Sequence, residues 1–150
     1  MSIAGITYKS KTASAEAILS HLCECDNTFV PPLSNRVDIR SYAKKIRDNA
    51  ITFEAWNKQK LAGLLAVYFN DSEKRTGYIT NVSVLPEFAR NGIGSELLIR
   101  CLDHASKENY HEICLEVNKA NIRAIGLYQK HNFIQTDEEG DYFIMKWGKQ

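Results

Sequence analysis

The chain has 150 residues, 44% of them hydrophobic and 25% charged, with a formal net charge of +1. That length can bury a full core as a single domain over residues 1–150 without disulfides or a structural metal. The near-neutral charge argues against nucleic acid as a partner, and the longest apolar run, LAGLLAVYF at 61–69, is too short to span a bilayer.

The start, MSIAGITYKS, lacks the basic region and long apolar stretch of a secretory signal, so a cytoplasmic location is expected. A first strand is expected over 3–8. Ala15, Ile18, Leu19 and Leu22 recur at helical spacing and predict a helix over about 13–25. Its end, HLCEC, places His21, Cys23 and Cys25 close together, but no second ligand pair follows at zinc spacing. No metal is expected, and the thiols, with Cys101 and Cys114, are expected to be free. DNTFVPPLSN breaks the helix, and Ile39, Tyr42, Ala43 and Ile46 mark the buried stripe of a second one.

The pattern then turns to strands. ITFEAW at 51–56 and LAGLLAVYFN at 61–70 predict a hairpin around NKQK, followed by a third strand, YITNVSVL, at 78–85. Leu97, Leu98, Cys101, Leu102 and Ala105 mark a third helix reaching about 109. A strand at 112–117, a helix at 121–131, and FIQT and YFIMKW around the turn DEEGD complete the chain. The strand–helix–strand unit at 78–117 requires a crossover and a parallel pair. The expected class is therefore α/β (α+β): a mixed, mostly antiparallel sheet with one parallel crossover and helices on both faces.

Two glycines, Gly92 and Gly94, stand where the third strand gives way to the third helix. A loop that opens a helix offers unpaired amides at the positive end of the helix dipole, and glycine lets an anion approach them. With Arg90 beside it, the loop points to a ligand carrying phosphate. A helix start that merely needs unusual backbone angles is the competing reading. GIGSEL lacks the lysine of a P-loop and the third glycine of a dinucleotide fingerprint, which disfavours nucleotide hydrolysis.

The wider context, YITNVSVLPEFARNGIGSELL, resembles the acetyl-CoA-binding motif of the GNAT superfamily of N-acetyltransferases: a strand ending V-x-P-E, a Q/R-x-x-G-x-G/A loop, then a helix. The predicted order of elements also resembles a GNAT fold. The resemblance implies acetyl-CoA as cosubstrate, with Arg90, Asn91, Gly92, Ile93, Gly94 and Ser95 around its pyrophosphate. It places Val82, Ser83 and Val84 along the pantetheine arm. Ala89 stands where the family motif has Gln or Arg, and Arg90 follows one position later. A second stretch, LEVNKANIRAIGLYQKHNF, is similar to the segment typified by the ribosomal-protein alanine N-acetyltransferase branch, matching at Glu116, Asn121 and Tyr128.

Acetyl transfer to an amine needs a base for the ammonium proton, a donor for the developing oxyanion and an acid for the thiolate. Ile113, Leu115 and Val117 share one face of their strand, so Glu116 projects from the other with Cys114 and is the candidate base. Tyr128 is the candidate acid, although Ala124, Ile125 and Tyr128 also form an ordinary buried stripe. Asn121 suits an N-cap by its own chemistry, and the resemblance adds a contact to the cofactor arm. The resemblance sets the loop between the first two helices and the last hairpin around the acceptor cleft, which makes Phe29, Pro31 and Pro32, with Asp137, Glu138, Glu139 and Asp141, candidates for the acceptor side. The expected function is N-acetylation of a small primary amine such as an amino sugar, amino acid or polyamine. Acetylation of a protein N-terminus is the alternative within enzymes, and a catalytically silent acyl-CoA-binding module the alternative outside them. Oligomeric state is left open, with a homodimer among the options.

Overall fold

The computed structural model describes residues 5–71 and 73–148; residues 3 and 4 of the expected first strand lie outside them. Strands are β1 Ile6–Ser10, β2 Ile51–Asn57, β3 Lys60–Asp71, β4 Thr76–Val84, β5 Glu112–Asn118, β6 Ile134–Glu139 and β7 Tyr142–Gly148. Helices are α1 Ala15–Cys25, α2 Ile39–Asn49, α3 Ile93–Lys107 and α4 Ile122–Lys130. The order is the one expected from periodicity. The strands form one sheet in the order β1-β2-β3-β4-β5-β7-β6, antiparallel except where β4 meets β5.

Alternation along the central strands sorts residues into two layers. Phe53, Ala55, Leu65 and Val67 enter a core beneath α3 that also holds Leu97, Leu98, Cys101, Tyr128 and Phe133. Leu64 and Ala66 face the other way and pack with Ile18 and Leu22 of α1 and Ala43 and Ile46 of α2. Burial on both faces explains why β3 reads as a nearly unbroken apolar run. Gly63 lets α3 settle on this strand, since a Cβ there would lie 2.7 Å from Ile93 Cγ2.

A buried carboxylate ties the α1 layer to the sheet. Glu54 is 0% exposed and accepts from Thr12 N, Thr12 Oγ1, Ala13 N, Thr52 Oγ1 and Trp56 Nε1 at 2.5–3.2 Å. Burial alone pushes its pKa up, but the donors together outweigh that and hold it below the ordinary glutamate value.

The last hairpin departs from expectation. Asp137, Glu138 and Glu139 were expected in a turn, yet they continue β6, pairing with Ile144, Phe143 and Tyr142. Backbone pairing to β7 overrides their low strand propensity, and an edge strand with every side chain exposed has no burial to oppose charge.

Candidate active site

The sheet is split at one place. β4 and β5 pair in parallel only over Thr76–Tyr78 and Glu112–Cys114. Beyond that, Leu115–Asn118 pairs only with β7, and a bulge shifts β4 against β3 so that Ala66 meets Asn81 while Val67 meets Ile79. Thr80 is the extra residue, and α2 holds it: Tyr42 Oη donates to the Thr80 carbonyl at 2.7 Å. The bulge also reverses the alternation of β4. Ile79 belongs to the α3 core, and after the bulge Val82 and Val84 pack against that core. Ser83 turns to the α1 side, where its Oγ lies 2.9 Å from His21 Nε2 and 2.8 Å from Asn81 Oδ1.

The phase of the ladder decides what faces the split. Leu85 N donates to Ala62 O at 2.8 Å, so in the register Ala62–Leu85, Leu64–Ser83, Ala66–Asn81 the backbone groups of the odd-numbered β4 residues are spent on β3. Those of Val82 and Val84 therefore point into the split, where β5 does not reach them.

Past the end of β4 lies the start of α3, where Gly94 comes near Val84. Three of the four α-helices carry a side-chain cap: Ser14 accepts from Ala17 N at 3.1 Å, Asp38 from Arg40 N at 3.1 Å, and Asn121 from Ala124 N at 3.2 Å. α3 has none; its N-cap is Gly92 at φ +77°, preceded by Arg90 at φ +65°. The first intrahelical bond is Glu96 N to Gly92 O, so the amides of Ile93, Gly94 and Ser95 find no backbone acceptor among the described residues. Asn91 does not supply one, because its Nδ2 donates to the carbonyls of Phe88 and Ala89 at 3.2 and 2.9 Å and braces the loop. A Cβ on Gly94 would meet only Leu127 and Val84, at 3.6 and 3.9 Å. Among the described residues no close contact demands glycine there. An uncapped helix start with unpaired amides has the geometry that holds an anion such as a pyrophosphate. Ser95 Oγ lies 2.6 Å from His131 Nε2, fastening the first turn of α3 to the end of α4.

The two residues expected to move protons stand on opposite sides of the sheet. Ile113, Leu115 and Val117 are buried in the α3 core, which turns Glu116 to the α1 side, exposed. Tyr128 comes from α4 on the other side and is 8% exposed, with its ring centroid 5.7 Å from that of Phe133. Burial, then the neighbouring Tyr78, push its phenol well above the usual tyrosine value, so it stays protonated. Both residues line the same narrow cleft of about 100 Å³, the split itself, together with Val82, Asn118 and Asn121.

Several residues in or beside the cleft carried no signal in the sequence. Tyr78 Oη lies 3.5 Å from Glu116 Oε2, with its pKa pushed up to about 12 by burial and by Glu116. Arg36 and Tyr142 meet across the mouth, the guanidinium carbon 5.2 Å from the ring centroid. Phe29 lines the cleft with Val30; Pro31 and Pro32 do not, nor do the acids of the β6–β7 hairpin. At the end of α1, His21 and Cys25 are buried and Cys23 is exposed, and no group of three or more metal-ligating side chains converges among the described residues. None of those helices is long and apolar enough to cross a membrane.

Comparisons with known proteins agree with this geometry. Residues 15–133 match the model of the acetyltransferase (GNAT) family. The chain is 29% identical over 115 residues to the uncharacterized N-acetyltransferase YedL of Escherichia coli, covering 75% of this chain and 69% of that protein. It is 43% identical over 61 residues to an N-alpha-acetyltransferase of Sulfolobus acidocaldarius, covering 39% of this chain and only 36% of the relative's length. Among solved structures, the ribosomal-protein-S18-alanine N-acetyltransferase of Escherichia coli superposes with TM-score 0.75 at 19% identity over 95% of this chain and 93% of that one. A paia N-acetyltransferase of Thermoplasma acidophilum, solved in complex with coenzyme A, gives TM-score 0.75 at 16% identity, covering 95% of this chain and 99% of that one. A family match over most of the chain, joined to a split sheet and an uncapped helix at its mouth, settles the membership: this chain belongs to the GNAT acetyltransferase family.

Proposed function

We propose that the chain is an N-acetyltransferase that moves an acetyl group from acetyl-CoA to a small primary amine. The observation that carries this reading is the split between β4 and β5, which opens an anion cradle and two free strand amides on one side of the sheet to an exposed carboxylate on the other.

In this reading the amides of Ile93, Gly94 and Ser95, with Arg90, hold the pyrophosphate, and the open edge at Val82 and Val84 holds the pantetheine arm. Ser83 contributes as a brace, through His21, and Asn121 through its cap and its place on the cleft wall. The amine enters from the α1 side. Glu116 takes its proton, directly or through a water, so that the nitrogen lone pair is free to bond to the acetyl carbon. A strand amide at Val82 or Val84 donates to the carbonyl oxygen as charge collects there. As the carbon–sulfur bond breaks, Tyr128 gives its proton to sulfur, so coenzyme A departs as the thiol; the second proton shed by nitrogen as the amide forms passes through solvent to restore Tyr128, and Glu116 releases the first to solvent. Cys114 lies beside Glu116, but burial and the Glu112 carboxylate raise its pKa and keep it a thiol, which favours direct transfer over an acyl-cysteine route.

The narrowness of the cleft supports a small acceptor. A second acceptor class, the N-terminus of a peptide, is favoured by the names of the relatives, which include N-alpha-acetyltransferases and a bS18-alanine N-acetyltransferase. A transfer assay with acetyl-CoA against amino sugars, amino acids, polyamines and short peptides separates the two. Turnover of small amines supports the leading reading, and strong turnover with N-terminal peptides alone replaces it with the second. Tight acetyl-CoA binding in calorimetry without transfer to any amine would leave a silent binding module instead.

A further inference from the structure

The cleft carries charge of both signs. Of the residues that line it, only Glu116 and Arg36 are charged. Among the described residues no carboxylate lies within ion-pair distance of Arg36. None of the acids of the neighbouring hairpin lines the cleft, and Glu138 is held by Lys119 at 2.6 Å.

Arg36 is nevertheless firmly placed. The single helical turn before it, Leu33–Asn35, is pinned by Asp26, whose carboxylate accepts from Ser34 N and Ser34 Oγ, each at 2.7 Å. Arg36 N donates to Leu33 O at 2.9 Å, and the guanidinium sits over Tyr142 from the opposite wall. A cation–π contact locates the charge without consuming its N–H donors. The planar guanidinium fork matches a carboxylate or a phosphate with two parallel hydrogen bonds. A fixed, unpaired fork facing the same cleft as the proton-accepting carboxylate fits a substrate with an amine at one end and an oxyanion at the other.

We propose that the acceptor carries an oxyanion, a carboxylate or a phosphate, beside its amine, and that Arg36 selects for it. This rests on the acetyltransferase reading above and narrows its substrate class. The polyamines expected among the acceptors are disfavoured by it, because they bring only positive charge to Arg36.

The test measures kcat/KM for acceptor pairs that differ only in the oxyanion: alanine and alaninamide, phosphorylated and plain glucosamine, and short peptides beginning with Asp or Asn. At least one pair is expected to favour the oxyanion member by about tenfold or more. In Arg36→Gln that preference collapses, and in Arg36→Lys part of it returns, because charge is kept while the fork is lost. The pair that responds identifies the source of the oxyanion. Equal rates within every pair for the unaltered protein, or a preference that survives Arg36→Gln, overturns the inference while leaving the acetyltransferase reading intact. Transfer to none of these amines, neutral or anionic, overturns that reading and this inference together.

Discussion

The two faces of the sheet meet at the split, and they set the two proposed proton-transfer groups in opposite environments. On the α3–α4 face Tyr128 is buried among apolar side chains, and burial keeps its proton on. On the α1–α2 face Glu116 is exposed and open to solvent. The difference teaches that one environment cannot serve both tasks. In the proposed mechanism, the group that delivers a proton to sulfur is kept neutral in a dry wall, while the group that receives one stays in contact with water that can carry it off. The sheet separates these environments, and the break in β4–β5 pairing is where they communicate.

Breaking the wet side is expected to have the largest effect. Glu116→Gln should lower kcat by about 10²–10⁴-fold in a steady-state transfer assay, while acetyl-CoA affinity by calorimetry holds, because the cradle lies at the start of α3. Removing the proton on the dry side comes next. Tyr128→Phe is expected to reduce kcat by about 10²-fold with little change in the KM for acetyl-CoA. Because burial raises the phenol's pKa, the unaltered enzyme should lose no rate through its ionisation up to around pH 9; a tyrosine-dependent fall below that would remove the assignment.

The layer that carries the acceptor side can be loosened without touching the cleft. Glu54→Gln leaves five donors facing a group that cannot satisfy them all and should cost about 2–3 kcal/mol in chemical denaturation. The pH dependence has a definite sign. The folded-state pKa of Glu54 is depressed, so its contribution is present above roughly pH 4–5 and fades as pH falls through the folded value. The acid limb of the stability curve should therefore be shallower in the variant. The smallest effect sharpens the comparison from the cofactor side. Gly94→Val fits sterically at its Cβ but covers the open amides, so acetyl-CoA affinity should drop about tenfold, roughly 1.4 kcal/mol, with folding stability nearly unchanged. A parallel substitution of the cap, Asn121→Ala, should instead register mainly as about 1 kcal/mol of stability. Equal affinity losses in both variants would erase the distinction between an open helix start and a closed one.

Much of this was legible in the chain itself. Period-3.6 and period-2 patterns placed the four α-helices and seven strands of the described residues approximately, because burial of one face is a local property written into residue spacing. The alternation Ile113, Leu115, Val117 told which way Glu116 points, and the paired glycines marked the uncapped start of α3. The acidic run at 137–139 misled, since propensity spoke for a turn while an edge pairing with β7 made a strand.

What only the tertiary structure decided lies between elements. No local pattern announces the bulge at Thr80, whose carbonyl is held by Tyr42 from 38 residues away, or the reversal of side chains that sends Ser83 to His21. Nor does spacing reveal that Arg36 and Tyr142 meet, because that contact joins the segment after α1 to the last strand. Periodicity records what each segment must bury. Which segments face one another across the split depends on the register and bulges of the whole sheet, and those are settled only when all its strands pair at once.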